Sequence, residues 1–273
     1  MKKKDQTTTL YDRQPDETLF QQACDTIIGR QRGLHGIGTL SEKTVHAVLK
    51  YYYAPNENYH EIKIGSYVAD ICKEGEIYEI QTRSFNTMRA KLSAFLTDYE
   101  VTIVYPVALT KYVRWIDPST GEISVPRKSP KKGRIYDILP ELYKIKSFLS
   151  NEHLHFEICF IEMEEYKILD GWSKDKKKGA TKTDRIPKSI CGLVTLYEPE
   201  DYYKFLMKNS DGKLQHLPPT FTSKDIALLL SVNLKQAQLI LHLLTYLELL
   251  QPIGKQGRLH LYQLPALRKS QQV

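Results

Sequence analysis

Residues 64–83 read IGSYVADICKEGEIYEIQTR, two short alternating segments on either side of Glu74 and Gly75. If these two residues are the centre of a tight hairpin turn, both segments are strands of one β-hairpin. Counting back from the turn along the two strands places Asp70 opposite Glu79. The sequence therefore predicts two carboxylates on the same face of a hairpin.

Each of the two acids lies in an otherwise apolar row of its strand. Asp70 alternates with Val68 and Cys72, and Glu79 alternates with Ile77. Opposed Cβ atoms in a sheet lie about 4.5–5.5 Å apart, and like charges at that distance destabilise the sheet unless a positive charge lies between them. The pattern predicts a divalent cation there. The alternative is a longer turn, which would shift the register by one residue and leave both acids as solvated surface charges.

Composition sets the class of protein. A chain of 273 residues with 41% hydrophobic and 26% charged residues is typical of a soluble globular protein of about two domains. The net charge of +7 favours a polyanionic partner, although a surplus of this size also occurs on proteins that only need solubility. No apolar run is long enough for a signal peptide or a membrane span, so we expect a cytoplasmic protein without a membrane partner. The four cysteines are too far apart in sequence for the close pairs of zinc sites.

Helical and strand patterns flank the hairpin. Ser41 is a predicted N-cap, and the helix that follows has an inward stripe of four residues. The stripe is Val45, Val48, Leu49 and Tyr52. Glu42 lies at the edge of that face and can point inward, or it is simply a first-turn acid that suits the helix dipole. After the hairpin, residues 87–97 predict a helix, and the apolar run 101–107 predicts a buried parallel strand.

The order of helix, three strands, helix and strand resembles the catalytic core of the PD-(D/E)XK nuclease superfamily. The residues that carry the resemblance are Glu42, Asp70, Glu79 and Gln81, and it covers roughly residues 29–107. It implies an α/β fold with a restriction-endonuclease-like αβββαβ core and a mixed sheet. In that superfamily such acids hold magnesium against a phosphodiester.

Carried over to this chain, the resemblance implies a site for Mg²⁺, with Mn²⁺ as a substitute. Asp70, Glu79 and the carbonyl of Ile80 would be the metal ligands, and Glu42 would be an auxiliary ligand or would orient one. Gln81 stands where the family usually has lysine, as it does in some restriction enzymes. The loss of that positive charge implies a slower site unless Arg83 or Lys91 compensates.

The C-terminal part resembles a winged helix-turn-helix domain. A short helix capped by Thr222, a turn and a longer helix over residues 234–250 precede a hairpin with a basic tip. The second helix of such domains commonly enters the major groove. The predicted DNA contacts near the core are Arg83, Arg89 and Lys91. On the second helix they are Lys235, Gln236 and Gln238, and His242 also points outward there. On the wing they are Lys255 and Arg258. The alternative is a winged helix used for protein contact or dimerisation.

The predicted organisation has four parts. They are an N-terminal extension (1–28), a nuclease-like core (29–112), a core extension with basic loops (113–215) and a small winged helix-turn-helix domain (216–273). We expect residues up to about 25 to be loosely attached. The glycine-rich stretch 29–38 is expected to be a loop rather than a phosphate cradle, and the basic run 173–188 is expected to be a flexible loop.

These patterns together predict a metal-dependent DNA endonuclease that hydrolyses phosphodiester bonds in DNA processing or defence. The first alternative is a catalytically inactive protein with a nuclease fold that acts as a DNA-binding or regulatory factor. A second alternative assigns the winged helix to protein contacts and the core to a scaffold. DNA is the expected partner, and a homodimer stays open.

Overall fold

The computed structural model describes residues 11–35, 44–171, 179–207 and 217–265. These residues form an α/β protein with a seven-stranded mixed sheet, several helices and a small C-terminal hairpin. The helices are α1 (Glu17–His35), α2 (Thr44–Tyr53), α3 (Arg89–Phe95), α4 (Leu139–Lys144), α5 (Ser223–Leu230) and α6 (Leu234–Tyr246). The strands are β1 (His60–Ile64), β2 (Tyr67–Lys73), β3 (Glu76–Ile80), β4 (Glu100–Ile116), β5 (Arg127–Lys128), β6 (Leu154–Ile168), β7 (Thr181–Leu196), β8 (Gln251–Gln256) and β9 (Leu259–Gln263).

The large sheet has the order β1-β2-β3-β4-β6-β7, and β5 also pairs with β4. The β3–β4 and β4–β6 pairs are parallel, whereas the other pairs are antiparallel. The predicted order of helix, three strands, helix and strand is confirmed. The predicted buried parallel strand is also confirmed, although β4 continues for 17 residues in total.

The β2–β3 hairpin has the predicted turn and register. Lys73 pairs with Glu76 across a two-residue turn whose central residues, Glu74 and Gly75, have φ angles of 52° and 90°. Positive φ at both central residues is the requirement of a type I′ turn, which matches the twist of the flanking strands. Glycine adopts this conformation without steric cost, whereas Glu74 adopts it against its intrinsic preference.

Two hydrophobic clusters cover opposite faces of the sheet. On one face α1 and α2 bury apolar residues such as Phe20 and Leu49 against Ile80 of β3. On the other face α3 and α4 pack together with α5 and α6 in one continuous cluster. Full burial of one such side chain contributes about 1.5–3 kcal/mol, so these clusters are the main source of the free energy of folding. The four inward residues predicted on α2 are all buried.

Three expectations about peripheral segments are wrong. The expected loosely attached stretch, where it is described, is not loose, because α1 buries Phe20 and Cys24 against the sheet. The basic run is not a loop from Thr181 onward, because β7 pairs along most of β6. Of the glycine-rich stretch, residues 29–35 belong to α1, which is neither a loop nor a cradle, and residues 36–38 lie outside the described residues.

The C-terminal helices and hairpin follow the predicted order. Thr222 and Asp225 form the predicted capping box at the start of α5. The longer helix, α6, ends at Tyr246, before the predicted boundary. In the part of the chain that the structure describes, no single helix is long and apolar enough to span a membrane; α5 and α6 would meet the length and composition only as a pair bent by 114°.

Candidate functional site

Asp70 and Glu79 meet where the β2–β3 ladder ends. The backbone register runs from the turn to the pair Ile71–Tyr78. At the next position side-chain oxygens act as the acceptors: Asp70 N donates to Glu79 Oε1 at 3.2 Å, and Ile80 N donates to Asp70 Oδ2 at 2.9 Å. The two carboxylates therefore lie together in the gap between the strands. Glu79 is only 4% exposed.

One side-chain nitrogen contacts each carboxylate. Lys91 Nζ lies 2.7 Å from Glu79 Oε2, and His46 Nε2 lies 3.0 Å from Asp70 Oδ2. Lys91 reaches the site because its neighbour Leu92 is buried and holds α3 against the sheet. His46 reaches it from α2, which is held on the other face of the sheet by the stripe described above. The site thus joins β2, β3, α2 and α3.

The two acids differ in their readiness to ionise. Burial, reinforced by the negative charge of Asp70, raises the pKa of Glu79 to about 7, although Lys91 opposes this shift. Burial also acts to raise the pKa of Asp70, but the hydrogen bond and charge of His46 and the N–H of Ile80 outweigh it and lower that pKa. One carboxyl is therefore easily protonated near neutral pH, and the other stays ionised.

The donor set suits a small, hard cation. Among the described residues, no group of three or more His, Cys, Asp or Glu side chains is arranged to hold a metal ion. Magnesium is commonly bound through one or two carboxylates and keeps several waters, so it does not need a third side chain. A cation between Asp70 and Glu79 would also remove the repulsion that raises the pKa of Glu79. The pair is therefore chemically compatible with Mg²⁺.

Two other residues of the predicted site have different outcomes. Gln81 follows Glu79 at the end of β3 and is half-buried, and its backbone N–H donates to the Val104 carbonyl at 2.9 Å. Glu42 lies outside the described residues. His46 was missed by the sequence interpretation, because no spacing along the chain relates it to Asp70.

The three basic residues predicted as DNA contacts near the core lie in different environments. Lys91 contacts Glu79 in the candidate site. Arg89 donates to the Lys144 carbonyl at 2.7 Å, so its guanidinium links α3 to α4. Arg83 is exposed and lies shortly after β3. Lys91 therefore belongs to the candidate site, whereas Arg89 links two helices.

The C-terminal residues predicted as DNA contacts are mostly accessible. Lys235 and Gln238 are exposed on α6, and Lys255 and Arg258 are exposed on the β8–β9 hairpin. Gln236 is half-buried and accepts a hydrogen bond from Asn233 N, so it takes part in the cap of α6. Farther along α6, His242 contacts Lys146 and Tyr143 of the core. The exposed predicted contacts of α6 are therefore Lys235 and Gln238 in its first half and His242 farther along.

A second buried acid lies two strands away, on β6. Glu157 is 0% exposed and accepts hydrogen bonds from Arg13 at 2.5 Å, Tyr53 at 2.6 Å and Tyr197 at 2.5 Å. One cation and two hydroxyl groups therefore satisfy a single carboxylate. The sequence interpretation did not identify this cluster, because its members come from four distant segments.

Comparisons with known proteins give a family but no activity. A family model described as "Domain of unknown function (DUF8091)" matches residues 43–196, which include the candidate site and all seven strands of the large sheet. An uncharacterized protein of Treponema pallidum (strain Nichols) is 30% identical over 194 residues, which cover 70% of this chain and 73% of that protein. No solved structure matches the chain.

Proposed function

The chain belongs to the DUF8091 family, and we propose that it is a magnesium-dependent endodeoxyribonuclease of the PD-(D/E)XK type. In this proposal the sheet with α2 and α3 is the nuclease core, and the C-terminal helices and hairpin are a winged helix-turn-helix domain. The acids Asp70 and Glu79 would hold Mg²⁺ or Mn²⁺ together with the Ile80 carbonyl. The protein would act on DNA in the cytoplasm.

The observation that carries the proposal is the position of Lys91. The superfamily usually places a lysine two residues after the glutamate, where this chain has Gln81. Here an ammonium group from α3 lies 2.7 Å from Glu79 Oε2. A positive charge therefore stands beside the carboxylate pair even though β3 does not supply it. In the proposal, this charge would compensate for the one that Gln81 does not carry.

The residues would then divide the work as follows. The bound metal would polarise the phosphoryl oxygen and lower the pKa of the attacking water. Lys91 would stabilise the negative charge that grows on the phosphoryl group. Gln81 would orient the phosphoryl group by hydrogen bonding. His46 lies 3.0 Å from Asp70 Oδ2, so it would fix the orientation of that ligand.

A specific observation favours the alternative of an inactive, DNA-binding member. Without any metal, Glu79 is already paired with Lys91, and Asp70 already has His46 as a hydrogen-bond partner. Such a protein would bind DNA through its basic surfaces, including Lys235 and Gln238 on α6 and the basic residues of the β8–β9 hairpin. It would not cleave.

Cleavage assays separate the two candidates. The pure protein is incubated with supercoiled, linear and branched DNA in Mg²⁺, in Mn²⁺ and in EDTA. The proposal predicts metal-dependent cleavage that Asp70→Ala abolishes. Cleavage that persists in Asp70→Ala would indicate a contaminant, and salt-dependent DNA binding without cleavage under any of these conditions would establish the inactive alternative.

A further inference from the structure

Beyond the candidate site, β4, β6 and β7 continue as an extension of the sheet with an unusual charge cluster. Glu165 of β6 is 1% exposed, yet four cations lie within ion-pair distance of its carboxylate. They are Lys111 at 3.2 Å, Arg185 at 3.4 Å, Lys167 at 3.5 Å and Lys182 at 3.9 Å. One negative charge thus faces four positive charges.

The cluster occupies one face of the sheet. Val113 pairs with Arg127 on one side and with Glu165 on the other, and Glu165 pairs with Arg185. Paired residues project to the same face, so Arg127, Glu165 and Arg185 form one row. Among the residues that the structure describes, Glu165 is the only acid within ion-pair distance of the four cations around it. The face therefore has a large excess of positive charge.

A structural ion-pair centre would not need this excess. One carboxylate is neutralised by one cation, and each further buried cation costs desolvation. Burial lowers the pKa of Lys111, and the charges of Lys182 and Arg185 lower it further against the opposing effect of Glu165. Lys182 and Arg185 are 58% and 39% exposed, so an anion can reach them from solvent. A bound anion would relieve the repulsion between these cations.

A second basic segment lies next to this face. Beyond the end of β3, residues 127–133 lie along the edge of β4. Gly133 N donates a hydrogen bond to the Ala108 carbonyl at 2.9 Å, and Ser129 N donates one to the Lys111 carbonyl at 2.8 Å. Only glycine fits at 133, because a Cβ there would lie 2.5 Å from the Ala108 oxygen. Lys128 and Lys131 in this segment are exposed. Positive charge therefore continues from the face onto the edge of β4.

We propose that this face, formed by Lys111, Lys167, Lys182, Arg185 and Arg127 around Glu165, binds the phosphodiester backbone of a nucleic acid. The inference rests on the proposed function in that it assigns a second contact to the same substrate. Glu165 holds the cations in fixed positions while leaving most of their charge for phosphates. The row of Glu165 is nine residues along β4 from the row of Ile80, or about 30 Å, so substitutions here leave the carboxylate pair intact.

The test measures binding in EDTA, so that it does not depend on cleavage. A fluorescent duplex of about 20 base pairs is titrated with the full chain at several salt concentrations. In Lys182→Ala with Arg185→Ala we expect about a tenfold loss of affinity near 0.1 M salt and a salt slope smaller by about one to two. The matched control is Lys63→Ala with Lys73→Ala, which removes the same charge from exposed positions of β1 and β2.

The outcomes are distinct. The proposal is overturned if the double variant at 182 and 185 binds the duplex like the control. It is also overturned if millimolar inorganic phosphate saturates this face without changing the affinity for the duplex. The variant Glu165→Gln is the more discriminating test, because it removes the one acid within ion-pair distance of the four described cations. It should raise the affinity for the duplex several-fold. If the cluster is only a structural ion-pair centre, the affinity should not rise. If the parent does not cleave DNA but the double variant at 182 and 185 still loses duplex affinity, the nuclease proposal is rejected and the proposal of a binding face stands.

Discussion

The pair of Asp70 and Glu79 and the single acid Glu157 lie in the same sheet, but their carboxylates have different kinds of partners. Glu157 is a single carboxylate with one guanidinium and two tyrosine hydroxyl groups around it. Asp70 and Glu79 are two carboxylates in one gap, and each has one side-chain nitrogen and one backbone N–H as partners. In the pair, burial and the negative charge of Asp70 together raise the pKa of Glu79.

This difference separates a structural buried acid from a candidate site. A lone acid with enough donors ties distant segments together, as Glu157 does for residues near the N-terminus, α2 and the end of β7. A second acid in the same gap adds repulsion, which weakens the fold unless a cation is bound. Burial of a charged residue is therefore a weak sign of function, and two like charges held close together are a stronger one.

The largest expected effect contrasts these two regions in the cleavage assay. Asp70→Ala should lower the cleavage rate by at least about 10³-fold, because it removes a ligand of the group that polarises the phosphoryl oxygen. Glu157→Gln should keep the rate per folded molecule but lower the free energy of unfolding by about 2–3 kcal/mol, because it weakens charged hydrogen bonds. Rates at a temperature where both variants are folded, and urea denaturation, measure the two effects. Loss of activity in folded Glu157→Gln would break the comparison.

A smaller effect concerns the ammonium group beside the pair. Lys91→Ala should lower the cleavage rate by about 10²–10³-fold, as the loss of one preorganised donor does in other enzymes. Adding Gln81→Lys to that variant should recover part of the rate, because residue 81 shares the face of Glu79 on β3. Single-turnover rates of the parent, both single variants and the double variant give the coupling. If Lys91→Ala cleaves as fast as the parent, Lys91 is only a structural partner of Glu79.

The smallest effect is on stability as a function of pH. The pKa of Glu79 is about 7 in the folded protein and about 4.5 in the unfolded chain, so the folded state binds the proton more tightly. Without metal, the stability that this group contributes is fully present below pH 4.5 and is lost as the pH rises through 7. Glu79→Gln should remove that loss and be more stable than the parent at pH 8, by about 1–3 kcal/mol. Identical pH profiles for the parent and Glu79→Gln between pH 4.5 and 8 would show that the repulsion is absent.

The hairpin could be predicted because its determinants are local. Period-two alternation and a two-residue turn fix the register, and the register brings Asp70 to Glu79. The strand β7 could not be predicted, because its lysines, threonines and Pro187 have the composition of a loop, and it is a strand by virtue of its pairing with β6. The helix α1 was missed because only a narrow stripe around Phe20 and Cys24 is buried.

The partners of the two acids could not be predicted from spacing. Lys91 reaches Glu79 only because α3 packs at a particular height on the sheet, and His46 reaches Asp70 only because α2 packs on the other face. Which acid has the raised pKa follows from these contacts and not from the sequence. The sequence showed that two like charges meet, and the tertiary packing determines that Glu79 is the one that holds a proton more readily.

The central claim, that Asp70 and Glu79 bind one divalent cation, is tested most directly by calorimetric titration with Mg²⁺ and Mn²⁺ at pH 7 in two buffers of different ionisation enthalpy. Because the pKa of Glu79 is about 7, metal binding should release about half a proton per ion at pH 7 and almost none at pH 8.5. Glu157→Gln should bind as the parent does, and Asp70→Asn should not bind. Binding that is unchanged in Asp70→Asn, or the absence of binding by the parent, would contradict the claim.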